Sequence, residues 1–97
     1  MTLHLINKTP SESSALRDSL SAVSNGDALL LIENGVYAAM PAYAELFTRL
    51  PGSVQCYLLE DDAIARGLKD LNQDFRAIGY DGFVELSCRY GKVVSWF

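Results

Sequence analysis

Ala28-Leu29-Leu30-Leu31-Ile32 is an unbroken apolar run of strand length, closed on both sides by residues that turn the chain. Asn25 and Gly26 precede it, and Gly tolerates the positive φ that a helix C-terminus often requires. Glu33, Asn34 and Gly35 follow it and end it abruptly. A strand that is apolar on both faces must be covered on both faces, so it belongs inside the sheet of an α/β protein. Val36 to Met40 is apolar again, but it follows that break and precedes Pro41. It reads as a loop or a short helical turn at the carboxyl edge of the sheet. Sites in open α/β sheets are built at that edge, so this loop is the first place to look for function.

The remaining segments fit around that strand. Leu3, Leu5 and Ile6, with Thr2 and His4, make a first strand. Asn7-Lys8-Thr9-Pro10 turns, and Ser11 or Ser13 can cap a helix over 13–24, where Ala15, Leu16, Ser19, Leu20 and Val23 share one face. Pro41 opens a second helix to about Arg49, stopped by Pro51-Gly52. Val54 to Leu59 is a third strand. Glu60-Asp61-Asp62 suits the positive end of a short helix that Gly67 ends. Leu68 to Asp74 is loop-like, and Phe75 to Ile78 is a fourth strand. Asp81 can cap a helix from about Gly82 to Tyr90, closed by Gly91, and Val93 to Trp96 is the last strand. Strands alternating with helices predict a parallel sheet with right-handed crossovers, a three-layer α/β/α sandwich of the flavodoxin or Rossmann kind.

The chain's 97 residues are expected to form one domain over 1–97, and 49% apolar content is ordinary for a globular protein. A net charge of −4 and scattered basic residues argue against direct nucleic-acid binding, which needs clustered Lys and Arg. No apolar stretch approaches the roughly 20 residues of a membrane span. The first residues lack the pattern of a signal peptide, so a cytoplasmic protein with reduced cysteines is expected.

No phosphate-binding glycine motif is present, and the hydroxyl-rich turn from Asn7 to Ser13 reads as a solvated loop with a helix cap. Cys56 lies in an apolar strand, where a thiol is inert. Cys88 lies in a last helical turn, whose dipole disfavours a thiolate, although Arg89 beside it offsets that effect; it is the one weak catalytic candidate. His4 is the only histidine and reads as a packed or surface strand residue. Neither a metal site nor a bound cofactor is expected, since the cysteines are distant and no CxxC occurs. Two features point to contact with other proteins. Val36-Tyr37-Ala38-Ala39-Met40 has the composition of a dry interface. Trp96 and Phe97 end the chain with large aromatics that must be buried in its own core or against a partner.

G-D-A-L-L-L-I-E-N-G-V-Y-A-A from Gly26, L-L-E-D-D-A-I-A-R-G-L from Leu58, Y-D-G-F-V-E-L from Tyr80 and the V-V-S-W ending at Trp96 resemble the TusB/DsrH family in order and spacing. The resemblance runs from His4 to Trp96. It implies the DsrE/F/H-like α/β fold and a place in sulfur relay, as a subunit joined by TusC-like and TusD-like proteins in a dimer of heterotrimers. Such a complex takes persulfide sulfur from a TusA-like donor towards a TusE-like acceptor, for 2-thiouridine at the tRNA wobble position, and the TusD-like partner carries the acceptor cysteine. Some DsrH proteins of sulfur-oxidising bacteria carry a cysteine in the first helix, where this chain matches with Ser19. A serine cannot hold a persulfide, which favours the non-catalytic branch over a DsrEFH sulfur-oxidation complex.

On this reading the interface falls on Glu33, Val36, Tyr37 and Met40, on Phe83 within the helix from Asp81 to Tyr90, and on Trp96 and Phe97. Two rival readings are a persulfide carrier using Cys88 and a small-ligand module at the carboxyl edge of the sheet.

Overall fold

The computed structural model describes residues 1–97. Five strands, β1 (Thr2–Ile6), β2 (Ala28–Leu31), β3 (Gln55–Leu59), β4 (Phe75–Ile78) and β5 (Lys92–Trp96), form one parallel sheet in the order β4-β3-β2-β1-β5. The apolar run lies at its centre as expected, with every residue of β2 buried. Ile32 stays buried just beyond the strand, its amide donating to the Ile6 carbonyl at 2.9 Å.

Strand order decides where the helices go. From β1 to β4 the chain steps in one direction, and right-handed crossovers put its connections on one face of the sheet. These are helix α1 (Ala15–Ala22), two 3-10 helices (Glu33–Ala39 and Pro41–Phe47) and helix α2 (Glu60–Ala65). Their Leu16, Val36, Ala39, Phe47 and Ala63 pack with Ile6, Leu29, Leu31 and Leu58. The step from β4 back to β5 runs the other way, so helix α3 (Tyr80–Arg89) lies on the opposite face. There Leu86, followed by Tyr90, packs with Leu3, Leu5, Ala28, Leu30 and Tyr57.

Three local expectations are corrected. The segment from Pro41 to Phe47 is 3-10 rather than α, which keeps a short connection tight against the sheet. Helix α1 is shorter than 13–24. The Ser13 hydroxyl accepts the Ala15 amide at 3.0 Å, and Val23 is already extended. Asp81 does not cap α3: the helix begins at Tyr80 after extended Gly79, which puts Asp81 inside the first turn. Gly26 and Gly67 take the left-handed backbone expected of them, with φ of +83° and +66°. Gly35 answers a different demand. The 3-10 turn crosses the carboxyl end of β1 so closely that a Cβ at 35 would overlap the Ile6 carbonyl.

Candidate functional site

Two regions carry polar or reactive groups, one beside the edge strand β5 and one along the carboxyl edge of the sheet. Beside β5, the register places His4 opposite Val94 and Ile6 opposite Trp96, so His4 and Trp96 are diagonal neighbours on one face. The Trp96 indole donates from Nε1 to His4 Nδ1 at 3.0 Å, and the rings are stacked. His4 Nε2 meets Asp27 Oδ2 at 3.0 Å. Asp27, just ahead of β2, also accepts the Thr2 amide at 2.9 Å and the Ser24 amide at 3.0 Å. Burial alone pushes the Asp27 carboxyl up. The His4 hydrogen bond and the Ser24 and Thr2 amides outweigh it and hold the group below its ordinary value. Both ring nitrogens are engaged, so neither is free to act as a base or nucleophile towards a substrate. His4 is a packed strand histidine, buried as one of the two readings of the sequence had it.

The two thiols lie on opposite faces. Burial, with the Asp74 carboxylate nearby, pushes the Cys56 thiol up to about 11, which suppresses the nucleophilic thiolate. Cys88 is exposed on α3. The neighbouring Arg89, which offsets the helix dipole in the sequence reading, is instead turned to Glu85, with Nη2 2.6 Å from Oε1. Ser19 is fully buried, and its hydroxyl donates to the Leu16 carbonyl at 2.6 Å. No three His, Cys, Asp or Glu side chains are grouped as metal ligands.

Along the carboxyl edge, Glu33 turns the chain with φ of +49°, and its amide donates to Asp62 Oδ2 at 2.7 Å. Arg66 donates from Nε to the Asn34 side chain at 2.9 Å. The acidic run at the start of α2 is therefore more than a dipole partner, since Asp62 fastens the turn that leads into the apolar loop. Tyr37, Met40, Ala42 and Tyr43 line a hollow of about 320 Å³ with Thr9 and Ser11. On the other side of the β1–α1 loop, Ser13, Ser14 and Asp18 line a second hollow of about 260 Å³ with Trp96 and Phe97.

Of the residues expected at an interface, Glu33, Tyr37, Met40, Trp96 and Phe97 are thus brought to one edge of the molecule, and Phe97 is 64% exposed there. Val36 is corrected: it is wholly buried in the chain's own core, because the 3-10 turn points it at Ile6 and Leu31 rather than outward. Phe83 stands apart on α3, half-buried against the second core. Beside it Tyr80, Val84 and Cys88 recur at helical spacing and are all exposed. The Asp27–His4–Trp96 network escaped sequence reasoning, because 92 residues separate His4 from Trp96 and only strand order brings them together.

A family model described as DsrH like protein matches residues 8–93. A Protein TusB from Serratia proteamaculans is 34% identical over 95 residues, covering 97% of this chain and 99% of that protein. A Protein TusB from Escherichia coli O81 is 33% identical with the same coverage. Among solved structures, the ychN protein of E. coli is similar with a TM-score of 0.81 at 16% identity, covering 97% of both chains. Protein Tm0979 of Thermotoga maritima is similar with a TM-score of 0.67 at 24% identity, covering 92% of this chain and 93% of that one. These two likenesses concern the fold. No helix is long and apolar enough to cross a membrane.

Proposed function

The chain belongs to the DsrH-like protein family, and on that premise we propose that it is a non-catalytic subunit of a cytoplasmic sulfur-relay complex. In this reading it joins TusC-like and TusD-like subunits in a dimer of heterotrimers. The complex passes persulfide sulfur from a TusA-like donor to a TusE-like acceptor, for 2-thiouridine at the tRNA wobble position. The chain completes and positions the assembly while the TusD-like partner does the thiol chemistry.

The observation that carries this reading is the state of the thiols. Cys56 is held as an inert thiol at about 11, and the position where some DsrH proteins have a cysteine is the buried Ser19. What the chain offers outward is apolar contact: Tyr37, Met40 and Phe97 on the carboxyl edge, and Phe83 with Tyr80 and Val84 on α3. Aromatic and methionine side chains of this kind are enriched at interfaces. Tyr37→Asp places a charge in the carboxyl-edge hollow and is expected to weaken assembly with the partner subunits. Full assembly by this variant and by Val84→Glu would remove the proposed docking surface.

A second reading is kept alive by one observation, the exposure of Cys88. A carrier would gain about 32 Da, one sulfur atom, on incubation with a persulfide donor, and would lose that adduct on Cys88→Ser. The subunit reading predicts no transferable adduct on this chain.

A further inference from the structure

The hydrogen bonds around His4 fix its proton. An indole nitrogen can only donate, so the Trp96 contact at 3.0 Å requires a lone pair on His4 Nδ1. The ring's single proton then sits on Nε2, facing Asp27 Oδ2 at 3.0 Å. One form of the side chain satisfies both neighbours: the neutral imidazole protonated on Nε2. A second proton would enter at Nδ1 and set N–H against N–H inside a buried contact.

From these contacts we propose that Asp27–His4–Trp96 is a proton-operated latch on the last strand. With His4 neutral, the latch holds the Trp96 indole against the sheet. With His4 protonated, the imidazolium keeps Asp27 as an ion-pair partner and releases the indole, since Nδ1 no longer accepts. Three further observations fit that role.

The latched element is β5, an edge strand paired only with β1, and beside its packing on the core the Trp96 side chain makes one hydrogen bond, the one to His4. Trp96 also lines two hollows, one of about 530 Å³ that includes Lys92, Val94, Ala22 and Ser24, and the one of about 260 Å³ at Phe97. Its release alters the lining of both and frees the aromatic end of the carboxyl edge. The surrounding charges are few. Asp27 faces His4 directly. Lys92 from β5 and Met1 share its hollow, and a charged ammonium of either cannot accept from a protonated Nδ1, because an ammonium only donates. Asp18 of α1 lies beyond the indole, and Tyr90 after α3 faces Asp27 from the other side of the sheet.

The latch is a property of this chain alone. Its effect on assembly, weaker docking in acid through displacement of Trp96 and Phe97, rests on the subunit reading above. The two ideas therefore fail separately.

The chain has one tryptophan and one histidine, so both partners can be followed without ambiguity in the intact protein. We would record the Trp96 indole N–H signal by NMR, and the tryptophan emission, from about pH 8 to about pH 5, the interval in which imidazoles ordinarily change charge. The expected result is a one-proton transition. The indole N–H passes from a hydrogen-bonded, slowly exchanging signal to a free, fast-exchanging one, while far-UV circular dichroism stays constant. His4→Gln abolishes the transition. The imidazole nitrogen signals of the intact protein at about pH 8 are expected to show the proton on Nε2 and a bare Nδ1, a readout that does not depend on the first variant folding. A flat Trp96 signal, a transition that survives His4→Gln, or a proton found on His4 Nδ1 at about pH 8 would each overturn the latch.

Discussion

The two faces of the sheet are furnished unequally. One is covered by α1, both 3-10 helices and α2, and there Ile6, Leu16, Leu29, Leu31 and Val36 have no exposed surface at all. The other carries α3 alone. Glu85 and Arg89 of that helix share a hollow with Arg76 and Ile78 of β4, so α3 lies towards the β4 side. Val93 of β5 on the same face is left 43% exposed, as are Val84 at 63% and Tyr80 at 56% on the helix itself. A single rule produces both outcomes. Three crossovers step one way and one steps back, so right-handedness sends three connections to one face and one to the other. A crossover helix runs along the strands and is only about 10 Å wide, too narrow to roof five strands spaced about 4.8 Å apart. Both faces bury a core, Leu3, Ala28 and Leu30 being fully buried on the sparse one, and on the subunit reading the apolar groups left exposed beside α3 are for partners.

Substitutions should separate these roles. The largest effect is expected for Leu29→Ala, which opens a cavity in a fully sealed core. We expect a loss of about 2–5 kcal/mol, read as a lower denaturant midpoint at unchanged slope.

Asp27→Asn comes next, at about 2 kcal/mol near neutral pH, because it sets an amide NH₂ against donors that a carboxylate oxygen accepts. This loss depends on pH. The folded Asp27 carboxyl lies below its ordinary value, so its stabilising contribution is complete above the unfolded value and fades as pH falls through the folded one. The stability gap between wild type and Asp27→Asn should therefore narrow below about pH 4. A gap that went on widening below that pH would contradict the hydrogen-bond assignment.

Val84→Ser should cost the isolated chain less than about 0.5 kcal/mol, since the side chain is already in water. If Val84 proved as important to stability as Leu29, the contrast between the faces would vanish.

How far the sequence foretold this arrangement depends on how local each feature is. The strands were legible from their apolar runs, and Phe75–Ile78 coincides with the expected fourth strand. The pattern predicted a loop or short turn over Val36 to Met40 and a helix from Pro41, but not the 3-10 winding of either. That winding is set by the need to pass Gly35 over the end of β1, a tertiary constraint. Val36 misled because an apolar loop residue at a sheet edge has the same composition whether it faces a partner or its own core. The exposed stripe of Tyr80, Val84 and Cys88 was invisible for a related reason: helical periodicity shows which residues align, whereas coverage depends on where the neighbouring strand lies. Least legible was the link between His4 and Trp96. It exists because β5 returns to pair with β1, and strand order is written nowhere in the local pattern.

The central claim is that this chain works as a structural subunit whose sulfur chemistry is done by partners. The most direct measurement is co-expression with the TusC-like and TusD-like proteins of the same cell, followed by sizing of the purified product by light scattering. The account predicts one stable particle containing all three chains, with the mass of a dimer of heterotrimers. Purification of this chain alone, soluble and without either partner, would contradict it.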